Sequence, residues 1–127
     1  MNTSELMIGD WVLKMESDHY VYVKVKEVYE DGIDYLFRSI RGAITATGIA
    51  PIPISADILE KNGFEKVQNL YILRTHNKKY LSMFFIEYNI TNNCLFISDG
   101  LIPAPVRYVH QLQHIFRLCG IEKEIRL

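Results

Sequence analysis

The run His19-Tyr20-Val21-Tyr22-Val23-Lys24-Val25-Lys26 alternates without a fault. A two-residue period marks a strand, whose side chains point to opposite faces in turn. Val21, Val23 and Val25 should face a core, with Tyr20, Tyr22, Lys24 and Lys26 on the other side. A strand cannot pair its own main-chain groups, so this segment commits its surroundings to a sheet. Val28 falls out of phase with the valines, which predicts a bulge or bend near Glu27. Asp31-Gly32 then turns the chain into a strand over Ile33–Phe37, forming a hairpin. Upstream, Gly9 to Leu13 reads as a turn feeding a short strand. Downstream, Ser39 to Ala50 is apolar but rich in glycine and small residues, and reads as strand.

The segment from Pro51 to Phe64 carries the clearest helix signals. Pro51 and Pro53 favour extended backbone and remove two ladder donors. Ser55 suits an N-cap, Asp57 complements the helix dipole, and Ile54 with Leu59 can form a hydrophobic staple. Gly63 fits the C′ position, with Phe64 folding back on Leu59 in a Schellman ending. Two helical turns are expected, stopped at both ends.

Beyond it, Leu70 to Thr75, Tyr80 to Tyr88 and Cys94 to Ser98 read as strands. The middle one is apolar on both alternating faces, the mark of a central strand. Val106 to Cys119 reads as an amphipathic helix. Tyr108, Val109, Leu112, Ile115, Phe116 and Cys119 share an arc of about 120° at 100° per residue. His110, Gln111, Gln113, His114 and Arg117 lie around the remainder. Gly120 closes the helix, and Ile121 to Leu127 is expected to be a terminal strand.

A chain of 127 residues, 49% hydrophobic, can bury roughly two-thirds of its unfolded surface. It needs neither a disulfide nor a metal to fold, and Cys94 and Cys119 have no C-x-x-C spacing. A net charge of −1 argues against a polybasic or acidic tail. Residues 1–63 hold 6 basic and 10 acidic side chains, and residues 64–127 hold 8 and 5. The start, MNTSELMIGD, lacks the features of a secretory signal, and the most apolar run, Leu81 to Ile86, is too short for a membrane helix. The expected location is the cytoplasm, with no membrane partner.

Three blocks are distinctive: Gly9-Asp10-Trp11-Val12, then Pro51-Ile52-Pro53-Ile54 running into Ile58-Leu59-Glu60-Lys61-Asn62-Gly63-Phe64, then Tyr108-Val109-His110-Gln111-Leu112-Gln113. In these the chain resembles a group of small proteins of Bacteroides-type bacteria and their prophages. The resemblance spans nearly the whole chain, which differs from shorter members in its long middle, residues 65–105. It implies a source and a shared fold. It implies no chemistry and no site residue, because the group has no assigned activity.

His110 and His114 have the i, i+4 spacing that lets two imidazoles reach one metal. A zincin places Glu after the first histidine; Gln111 stands there and cannot act as a general base. No third ligand lies at a convincing spacing, so both histidines read as part of a solvated helix face and no metal is expected. Cys94 or Cys119 with His76 or His110 would make a nucleophile and base only if the fold joined them, and nothing in the sequence does. Neither a nucleophile elbow nor a phosphate-binding glycine loop is present. Asp31, Asp34 and Glu30 lack the spacing of a calcium loop. The expectation is no catalytic residue, no cofactor and no enzyme.

Tyr20, Tyr22, Lys24 and Lys26 remain as a candidate binding face. Small barrels that hold single-stranded nucleic acid stack bases on such aromatics. The acidic first half opposes that reading, because phosphate affinity depends on accumulated positive charge. The fold expected is α+β and mainly β, either one compact domain, 1–127, or two lobes. Residues 5–54 would form a Src-homology-like small barrel or curled sheet. Residues 55–127 would hold the short linking helix, then a second antiparallel sheet with one C-terminal amphipathic helix. The expected function is a non-enzymatic binding or assembly module, through a protein partner or self-association, with nucleic-acid binding as the alternative.

Overall fold

The computed structural model describes residues 1–76, 83–97, 100–101 and 105–127. The chain divides into two compact units, Met1–Ile52 and Pro53–Leu127. Among the described residues, no helix is long and apolar enough to cross a membrane.

The first unit holds β1 (Trp11–Met15), β2 (Tyr20–Val28), β3 (Gly32–Phe37), β4 (Ile40–Thr45) and β5 (Ile49–Ala50), with 3-10 turns at Thr3–Glu5 and Ala46–Gly48. Its five-stranded antiparallel sheet runs β4-β3-β2-β1-β5. The end strands β4 and β5 do not meet, so the sheet is open and the closed-barrel alternative is set aside. Val23 and Val25 are wholly buried and join Leu6, Val12, Ile33 and Ile49 in the core. The β2–β3 register shifts between Val25 and Glu27. That bulge returns Val28 to the core side, where it packs with Val21, Tyr35, Phe37 and Ile44. The Gly9 N–H donates to Val25 O at 2.8 Å and the Val25 N–H to Asp10 O at 2.8 Å, clasping the chain before β1 against the bulge. Asp10 is fully buried, and its Oδ2 accepts from the Met7 N–H at 2.8 Å.

The span Ser39–Ala50 is not one strand. Arg38 and Ser39 have φ of 48° and 69°, a two-residue loop with both residues left-handed, and it starts a second hairpin. The 3-10 turn Ala46–Gly48 then separates β4 from β5.

The second unit contains α1 (Ala56–Lys61), β6 (Glu65–Val67), β7 (Leu70–His76), β8 (Met83–Asn89), β9 (Cys94–Ile97), β10 (Gly100–Leu101) and α2 (Val109–Leu118). The strands form an antiparallel sheet in the order β10-β9-β8-β7-β6. The expected strand start at Tyr80 to Ser82, and Ser98, lie outside the described residues. Tyr71, Leu73, Ile86, Tyr88 and Leu95 share the buried face of this sheet, while Phe85 and Phe96 are exposed on the other.

The ends of α1 are as its residues require. Ser55 Oγ accepts from the Ile58 N–H at 3.2 Å. The Phe64 N–H reaches Leu59 O at 3.0 Å and the Gly63 N–H reaches Glu60 O at 3.2 Å, the paired bonds of a Schellman ending. Gly63 sits at φ +88°. Asn62 is buried, and its side chain donates to Ile58 O and Arg126 O while accepting from the Arg126 N–H at 2.7 Å. The tail is therefore held by one amide side chain, and Ile121 to Leu127 forms no strand.

The second helix begins later than its periodicity implies. Val106 and Arg107 stay extended because Arg107 O accepts from the Ile54 N–H at 3.0 Å and Tyr108 bridges Pro53. Gln111 Oε1 accepts from the main-chain N–H groups of Arg107 and Tyr108 at 2.8 and 3.1 Å, closing the helix start. Tyr88 is wholly buried and its hydroxyl donates to Val106 O at 2.6 Å. Burial pushes its pKa up to about 12, with Arg107 pulling it down and Cys94 pushing it up by smaller amounts.

Two measurements check these anchors. Ser55→Ala should cost about 1 kcal/mol of stability through the lost cap. Gly63→Val should cost more, because a β-branched residue resists a left-handed φ even though a Cβ there meets nothing closer than Leu73 Cδ1 at 3.6 Å. Urea midpoints equal to wild type in both would contradict the assigned helix ends. Tyr88 ionises in the unfolded chain near pH 10 and in the folded one near 12, so the folded state retains the proton longer. Stability should therefore fall as pH rises through that window, and Tyr88→Phe should flatten the fall while lowering stability at neutral pH.

Candidate functional site

The outer face of the first sheet is built by cross-strand register. β1 sets Trp11, Leu13 and Met15 against Lys24, Tyr22 and Tyr20 of β2. β3 adds Leu36 opposite Lys24, and β5 adds Ala50 opposite Leu13. Tyr20, Tyr22 and Met15 are 47%, 44% and 48% exposed. Trp11, Leu13, Lys24 and Leu36 are half-buried. The Lys24 ammonium lies 5.7 Å from the centre of the Trp11 ring, a cation–π distance.

Of the four residues singled out by alternation, the fold brings Tyr20, Tyr22 and Lys24 together. Lys26 is the residue displaced at the register shift; it is exposed and has no cross-strand partner in β3. Trp11, Leu13 and Met15 belong to the same face and were not read from the sequence as part of it. The signal was the alternation Trp11-Val12-Leu13-Lys14-Met15, in which the phase of the buried Val12 faces the core and leaves Trp11, Leu13 and Met15 on the outer face.

Acidic groups border the face. On the opposite side of the sheet, Lys14 Nζ lies 5.4 Å from the centre of the Tyr35 ring and pairs with Glu16 at 2.9 Å, a bond that holds the ammonium pKa above its ordinary value. His19 Nδ1 lies 2.6 Å from Asp18. Farther across, Asp34 accepts from Tyr29 Oη at 3.0 Å and from Arg41 Nη2 at 3.1 Å. The Asp34 bond, the largest influence, raises the Tyr29 phenol pKa. Tyr29, Asp31, Asp34, Ala43 and Thr45 line a groove of about 510 Å³.

The histidine pair is placed differently from its periodicity. His110 is 1% exposed and Gln113 is also buried, so the solvated-face reading is corrected for both. Buried residues of α2 span an arc of roughly 220° at 100° per residue, wider than one apolar stripe. His114 is half-buried and Arg117 exposed. The His110 ring stacks on Tyr108 with centroids 5.9 Å apart and meets His114 edge-on at 5.7 Å. Among the described residues, no group of three His, Cys, Asp or Glu side chains could hold a metal ion. Cys94 and Cys119 form no disulfide and are half-buried, at the start of β9 and the end of α2.

No family model, curated protein or solved structure matches this chain.

Proposed function

We propose that the chain is a non-enzymatic binding or assembly module, of the bacterial or prophage source that the resemblance implies. Its outer N-terminal face would receive an apolar segment of a protein partner. What carries the reading is the exposure of Tyr20, Tyr22 and Met15 around Trp11, Leu13 and Leu36. An antiparallel sheet with one face in a core normally turns polar residues outward. A contiguous apolar patch on that side is typical of an interaction surface. Tyrosine and tryptophan also bring large contact area and a polar tip with few rotors to freeze.

The alternative partner is single-stranded nucleic acid. Two tyrosines along one strand, with Lys24 over Trp11, make a stacking platform with a cation beside it. The charge balance opposes it: Glu16, Asp18 and Glu27 flank the tyrosines in sequence, and Lys26 is displaced at the bulge.

Trp11 is the only tryptophan, so its emission reports on this face. Random displayed peptides should be selected on the immobilised protein, and the winners titrated while that emission is followed. Selected peptides should be apolar or aromatic, shift the emission, and bind about tenfold more weakly to Tyr22→Ala, the scale of one aromatic hot spot. An unstructured oligonucleotide should bind no tighter than ~100 µM at physiological salt. Micromolar oligonucleotide binding that weakens with salt and with Tyr22→Ala would replace the peptide by nucleic acid. Selected peptides that leave the emission unchanged would refute this face as the site.

A further inference from the structure

β4 ends one side of the first sheet, and among the described residues no strand pairs with its outer edge. The two-residue Arg38-Ser39 loop makes Phe37 and Ile40 a hydrogen-bonded pair. Antiparallel alternation then places the next bonded pairs at Tyr35–Gly42 and Ile33–Ile44. The bond from the Ala46 N–H to Asp31 O at 2.8 Å continues that phase. The main-chain groups of Arg41, Ala43 and Thr45 therefore point away from β3, along the open edge. Edge strands are usually blunted by charged side chains, proline or a bulge. β4, with the sequence Ile-Arg-Gly-Ala-Ile-Thr, has no proline, its register with β3 is unbroken, and its one charge, Arg41, is drawn to Asp34 of its own sheet at 3.1 Å. Gly42 and Ala43 leave little side chain to hold a second backbone away.

We propose that this edge is a self-association surface, on which a second copy of the chain lays its own β4 antiparallel about a two-fold axis at Ala43. Ala43 then faces Ala43, and Arg41 faces Thr45 on both sides; with the Thr45 carbonyl already accepting the first bond of the 3-10 turn Ala46–Gly48, about four new main-chain hydrogen bonds form. The charge pattern suits a second copy as the occupant. Arg41 is the one charged residue of β4, and the two-fold keeps the two arginines from opposing each other. It sets each arginine, which reaches Asp34 of its own copy at 3.1 Å, beside Thr45 of the other copy, at the groove that Asp31 also lines. The edge is thus self-complementary, as an isologous contact must be, and pairing consumes it in both copies.

Sedimentation of the full chain from low to high micromolar concentration tests this directly. A concentration-dependent dimer is expected. Ala43→Pro removes an outward N–H and leaves the β3 ladder intact, so it should be monomeric with an unchanged circular-dichroism spectrum. Thr45→Arg, on an exposed side chain, opposes like charges at two symmetric contacts and should weaken the dimer about tenfold. Should Ala43→Pro unfold, the Thr45→Arg shift decides alone. A wild-type chain monomeric throughout, or a dimer that Thr45→Arg leaves unchanged, would overturn the proposal. So would a dimer abolished by Tyr22→Ala yet kept by a folded Ala43→Pro.

Discussion

The burial of Val23 and Val25 sets the phase of β2, and everything registered on β2 follows from it. A slip of one residue would expose both valines, at roughly 1.5–3 kcal/mol for each buried side chain. It would also push the Lys24 ammonium toward the core, where an unpaired charge costs still more. The bulge after Val25 keeps the phase compatible with the rest of the strand, returning Val28 to the core side. The clasp of Gly9 and Asp10 on the Val25 main chain fixes the place of that bulge. Once the valines face inward, Tyr20, Tyr22 and Lys24 must face outward, and β1 brings Trp11, Leu13 and Met15 beside them.

What could be read from the sequence was what depends on neighbours along the chain. The phase change at Val28, the cap at Ser55, and the Gly63-Phe64 ending are each set within a few residues, and each is present. Features that depend on distant partners were not legible. Arg38-Ser39 carries none of the usual glycine or asparagine signal for a tight hairpin, yet sheet pairing holds both residues at positive φ. Alternation places Trp11 on a face of its own strand, but only the β1–β2 register tells which residues it meets. Periodicity assumes a helix covered along one stripe, so it puts His110 and Gln113 in water, whereas α2 is buried over nearly two-thirds of its circumference.

The second unit shows the same division between local rule and tertiary override. Its C-terminal segment has the composition of a strand, but the buried Asn62 amide takes both Arg126 main-chain groups and no ladder forms. The Tyr88 hydroxyl likewise binds Val106 O, holding the approach to α2 through a group whose burial is tolerated only because it is hydrogen-bonded. These polar anchors fix the irregular segments, while Tyr71, Leu73, Ile86 and Leu95 supply the apolar burial. Packing leaves exposed aromatic side chains on both sheets, Tyr20 and Tyr22 on the first and Phe85 and Phe96 on the second, and on the outer face of the first they sit beside Trp11, Leu13 and Met15.

Hydroxyl-radical footprinting of the free chain, read residue by residue by mass spectrometry, tests that face most directly. The tyrosines serve as internal standards, since Tyr71 and Tyr88 are buried while Tyr20 and Tyr22 are nearly half exposed. Tyr20, Tyr22 and Met15 should be modified rapidly, and Tyr71 and Tyr88 slowly. If Tyr20 and Tyr22 were as protected as Tyr71 and Tyr88, the face would not be open to a partner, and the account would be contradicted.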